Sequence, residues 1–145
     1  MLNKKIINFL REKNWWYEHE IIKYRDALSQ LNLDMESDFI QFYLHTEDGP
    51  TFFSRYREIY QLGWFLINTN LSKDLYSINK ILDLPEDFIG LDSFEGEHGF
   101  FYNKVTQEVV HFQLGSSYEE REVKKWSTFV AFIEWYFNIE DALDN

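Results

Sequence analysis

The stretch that most constrains how this chain folds is residues 91–115, LDSFEGEHGFFYNKVTQEVVHFQLG. Residues 99–102 (GFFY) and 109–114 (VVHFQL) are rich in aromatic and β-branched types, and the intervening NKVTQ is polar apart from Val105. Two such runs around a short polar segment predict a β-hairpin. The entry elbow FEGEHG places Gly96 and Gly99 where the backbone needs a positive φ or the close approach of another element. Read by parity along the chain, Phe100, Tyr102, Val110, Phe112 and Leu114 form one apolar set, and Phe101 and Val109 the other. A hairpin apolar on both faces must be covered on both faces. The chain is therefore expected to be α+β, with an antiparallel-rich sheet centred on residues 88–114 and flanked by helices.

Helical spacing of Ile6, Phe9 and Leu10 predicts a helix over 3–13, and Ile21, Tyr24, Leu28 and Leu31 predict a second over 18–31. Between them, adjacent Trp15 and Trp16 cannot face the same way, so one is expected to cap the core from a loop. Ser37 is a good N-cap for 38–45 (DFIQFYLH), whose nearly unbroken apolar surface predicts burial, with Gly49 and Pro50 as stop signals. Residues 51–67 fit either a helix (Phe52, Tyr56, Ile59) or a strand near 59–66 broken at Gly63, and the strand is favoured. Asn70 or Ser72 opens a helix to about residue 82, and Pro85 follows its end. Residues 88–94 read as a strand feeding the hairpin, 116–125 as a charged loop with little order, and 126–138 as a helix striped by Trp126, Val130, Ile133 and Phe137. The acidic tail 138–145 is expected to fray.

At 145 residues the expectation is a single domain spanning 1–145. An aromatic content of 19% excludes disorder for the chain as a whole, and the absence of cysteine excludes disulfides, thiolate metal sites and Cys nucleophiles. No apolar run approaches the roughly 18–20 residues of a membrane span, and charges at 11–13 interrupt the N-terminal run, so a cytoplasmic location without a membrane is expected. The net charge of −11 is concentrated. Asp34, Glu36, Asp38, Glu47 and Asp48 crowd 34–50, and Asp83, Glu86, Asp87, Asp92, Glu95 and Glu97 crowd 81–100. Such a surface repels nucleic acid and favours a basic protein partner, although acidic excess also serves plain solubility.

Motifs for chemistry are sparse. The four histidines, His19, His45, His98 and His111, show no H-E-x-x-H or paired-ligand spacing, and Glu95, Glu97 and His98 are too few to close a metal site. Asp92, Glu95 and Glu97 could pair for acid–base work, but carboxylates at a hairpin mouth are ordinary. G-x-S-x-G and the phosphate-loop patterns are absent, and His111 reads as a satisfied sheet histidine. No catalytic residue, metal or cofactor is expected.

The segments FEGEHGFFYNKVTQEVVHFQLG, WSTFVAFIEWYF and SDFIQFYLHTEDGP, in that family's order and spacing, resemble the SUKH superfamily (SMI/KNR-type proteins) over most of residues 34–137. Two departures are visible: Ser37 replaces a proline common before D-F, and Gln107 stands where a hairpin glycine is common. The resemblance implies a SUKH-like domain and, for a bacterial protein of this size, an immunity protein. Such a protein binds and neutralises a cognate secreted toxin, often a nuclease, of a polymorphic or contact-dependent toxin system. The alternatives are a non-catalytic regulatory scaffold for a cellular protein and a small carboxylate-dependent hydrolase. The partner surface is expected at the two acidic turns, through Glu47, Asp48, Asp92, Glu95 and Glu97.

Overall fold

In the computed structural model, which describes residues 2–115 and 121–139, the apolar run after Ser37 becomes a helix buried on most of its surface. This helix, α3 (Asp38–His45), buries Phe39, Ile40, Phe42, Tyr43 and Leu44, and Ser37 caps it by accepting from the Ile40 amide at 3.3 Å. A buried helix end needs partners for its last carbonyls. Here Ile21 N–H donates to Leu44 O at 2.8 Å and Tyr17 N–H to His45 O at 2.7 Å. The amide of buried Gln61 donates to Tyr43 O at 2.9 Å and Thr46 O at 2.8 Å.

That arrangement explains two differences from the sequence expectations. The helix expected over 18–31 begins only at α2 (Ile22–Ser29), because the amides of Tyr17 and Ile21 go to the last carbonyls of α3 instead of to a helix of their own. The segment 51–67 contains both alternatives in succession. It forms a hairpin of β1 (Thr51–Ser54) and β2 (Arg57–Tyr60), then α4 (Leu62–Asn68), in place of a strand at 59–66. Gly63 is not a strand break. It lies within α4, where a Cβ would stand 2.5 Å from the ring of Tyr24, so glycine permits α4 to approach α2.

The chain forms two compact units, Met1–Thr69 with Val130–Asn145, and Asn70–Phe129. The first holds α1 (Lys4–Glu12), α2, α3, the β1–β2 hairpin, α4 and most of α6 (Phe129–Tyr136). Trp15 packs on Phe9, Phe52 and Phe137, and Trp16 stacks on His45, so the two tryptophans diverge as expected.

The second unit holds α5 (Leu71–Ile81) and an antiparallel sheet ordered β3 (Phe88–Gly90), β4 (His98–Asn103), β5 (Val109–Gln113), β6 (Glu122–Trp126). The protein is thus α+β with antiparallel sheets. The hairpin register opposes Phe101 to Val110, Phe100 to His111 and Tyr102 to Val109. Even positions of β4 therefore share a face with odd positions of β5, which corrects the grouping by parity. Leu82, Leu84, Phe88, Phe101, Val110 and Phe112 form one cluster, joined by Ile78 of α5. On the other face Phe100 meets the ring of Trp126, and Tyr102 that of Phe129.

β3 stops at Gly90, short of the strand expected to 94. β6 lies where a charged loop was expected, and Trp126 closes this strand instead of opening a helix. Residues 116–120 and the acidic tail beyond 139 lie outside the described residues. Among the described residues, no helix is long and apolar enough to cross a membrane.

Candidate functional site: the acidic elbow and its cleft

The chain leaves β3 and turns back into β4 through residues 91–97. Asp92 is buried, 7% exposed, and its carboxylate accepts from Phe94 N–H at 3.1 Å and Phe100 N–H at 3.3 Å. It thereby ties the turn to the strand that follows, and a Cβ on Gly99 would collide with it. Gly99 thus answers the need for close approach, and Gly96, at φ 74°, the need for a positive φ. Phe94 (φ 58°) and Glu97 (φ 64°) are also left-handed, which is unfavourable for residues with a Cβ. The Phe94 ring packs edge-on against Phe101, anchoring the elbow to the sheet. Glu97 is held at both ends of its peptide, its N–H donating to Phe94 O at 3.2 Å and its carbonyl accepting from Leu114 N–H at 2.8 Å.

The short 3-10 turn Glu95–Glu97 carries two exposed carboxylates, Glu95 and Glu97. Beside it an open cleft of about 390 Å³ is lined by Glu97, His98, His111, Gln113, Leu114 and Val123. His98 Nδ1 lies 2.9 Å from His111 Nε2, so one imidazole donates to the other. Among the described residues, no group of three or more His, Asp or Glu side chains is placed to hold a metal ion.

The five residues expected at a partner surface divide by role. Glu95, Glu97 and Asp48 are exposed. Asp92 faces inward as the elbow's brace, which also separates it from the acid–base pairing considered for Asp92, Glu95 and Glu97. Glu47 is half-buried in the other unit, where its carboxylate accepts from the Tyr24 hydroxyl and its amide donates to Trp15 O at 3.0 Å. Burial, with the Glu47 carboxylate beside it, pushes the Tyr24 phenol above the usual tyrosine range.

The histidine pair was not anticipated from sequence, because 13 positions separate the two residues. The signal lay in the turn. Asn103 N–H bonds Glu108 O at 2.8 Å and closes a four-residue connection, which sets Phe100 opposite His111 and His98 opposite Gln113. That register makes the two histidines diagonal neighbours on one face.

Comparison with family models, curated proteins and solved structures finds no match for this chain.

Proposed function

We propose that this protein is an immunity-type binding protein. It captures a basic toxin domain through the acidic elbow and thereby protects the cell that makes it. The observation that carries this reading is the construction of Glu95–Glu97, where a buried carboxylate and a packed phenylalanine hold two exposed carboxylates in a left-handed turn. Backbone strain of this kind persists where function needs the conformation. Fixed, exposed acids on a chain of net charge −11 suit the steering of a cationic partner. The elbow also falls within the FEGEHGFFYNK segment that carries the resemblance to SUKH immunity proteins.

The test is protection. The genes beside this one are expressed one at a time in a sensitive host with and without the protein, and the product of any that is toxic is purified with the protein and examined for a one-to-one complex. Restored growth together with complex formation is the expected result. Unrelieved toxicity, or protection without any complex, contradicts the proposal.

A further inference from the structure

The cleft beside the elbow combines two kinds of wall. Leu114 and Val123 are 49% and 50% exposed and give it apolar sides, while Glu97, the His98–His111 pair and Gln113 give it polar groups. Among these lining residues Glu97 carries the formal negative charge. Lys124, which pairs with His111 in the β5–β6 register, has its ammonium over the Trp126 ring at 5.1 Å. A cleft lined by apolar side chains together with a glutamate matches a side chain with an aliphatic stem and a cationic head.

We propose that this cleft is the recognition site for an arginine side chain of the protein partner. Its methylenes lie along Leu114 and Val123, and its guanidinium donates to the Glu97 carboxylate. The inference rests on the binding reading above for the identity of the partner, and on the cleft alone for the chemistry. Glu97 supplies a second, independent argument. Glycine would relieve the left-handed strain at this position at some cost in unfolded-state entropy, so the local backbone does not by itself call for a glutamate.

The probe is N-acetyl-arginine amide, titrated into the wild-type protein and followed by heteronuclear NMR. The neutral isostere N-acetyl-citrulline amide is the control. The arginine probe is expected to bind in the millimolar range and to shift resonances of residues 96–98 and 111–114, while citrulline leaves them in place. Glu97→Gln should weaken binding about tenfold, the loss of one charge-assisted contact. Glu97→Gly should weaken it equally while the melting temperature stays level or rises. Equal shifts from arginine and citrulline, shifts confined elsewhere, or undiminished binding by Glu97→Gly would each overturn the proposal. Localised arginine binding without toxin protection would leave the cleft standing and remove the toxin reading. Protection without localised arginine binding would do the reverse.

Discussion

Two of the turns in this protein each place two side-chain-bearing residues in left-handed conformations, and they are braced differently. The acidic elbow has Phe94 and Glu97 at positive φ and is tied by a carboxylate, Asp92, that spans two backbone amides. The β1–β2 turn has Arg55 (φ 51°) and Tyr56 (φ 60°) in succession, the pattern of a type I′ connection that normally selects Asn-Gly. Its brace is a hydroxyl. Tyr136 Oη accepts from Ser54 N–H at 3.0 Å and donates to Arg57 O at 2.5 Å, and Arg55 stacks on Trp135 at 4.2 Å. One turn displays acids and the other displays Tyr56, which is 98% exposed. In both, a buried polar group makes an unfavourable backbone affordable. The brace sets stability, whereas the left-handed residues that each turn displays, Glu97 in one and Arg55 and Tyr56 in the other, carry backbone strain.

Removing the carboxylate brace should have the largest effect. Asp92→Ala strips acceptors from two amides, one of them on buried Phe100, and is expected to cost about 3 kcal/mol, measured by urea denaturation. A loss below about 1 kcal/mol would mean that water replaces the carboxylate readily. The hydroxyl brace should matter less, because it is neutral. Tyr136→Phe is expected to cost about 2 kcal/mol by the same measurement, and a loss matching that of Asp92→Ala would erase the distinction between the braces.

How far the chain could be read in advance follows the same physics. The Ser37 cap, the buried face of α3 and the strands of the central hairpin were legible, because a cap and a run of apolar residues act locally. Gly96 and Gly99 were legible as positions of special need, although which need applied to each depended on where Asp92 lies. β6 was illegible, because EVKKW offers little apolar alternation and pairs as an edge strand with β5. The strand expected near 59–66 gives way to β2 and α4 because Gly63 serves the packing of α4 against Tyr24, a contact distant in sequence. The inward roles of Asp92 and Glu47 were hidden for the same reason: both are acidic in sequence, and only tertiary contacts distinguish them from Glu95 and Glu97.

Replacing displayed residues should move stability the other way. Arg55→Asn with Tyr56→Gly installs the residues that the β1–β2 turn prefers and is expected to stabilise the protein by about 1–2 kcal/mol, offset in part by the lost Trp135 stacking and the lost hydrogen bond from Arg55 Nε to Trp135 O (2.7 Å). An unchanged or lower melting temperature would show that the aromatic and cation–π contacts outweigh the strain. The smallest effect belongs to the β4–β5 turn, where Gln107 (φ 68°) occupies a left-handed position. Its N–H donates to Asn103 O at 2.8 Å, and the Asn103 side chain already orders the loop through the Val105 and Thr106 amides. Gln107→Gly is expected to add at most about 1 kcal/mol, read from the same denaturation curves, and any loss would contradict the strain argument.

The most direct test of the elbow as the proposed recognition element is the salt dependence of association with a catalytically inactive form of the proposed toxin partner. The wild-type protein should associate fast at low salt and slow steeply as salt rises, because exposed charge acts mainly on encounter. Glu95→Gln with Glu97→Gln should associate more slowly and with a flatter salt slope, at an unchanged melting temperature. Identical rates and slopes for the two proteins would contradict the account.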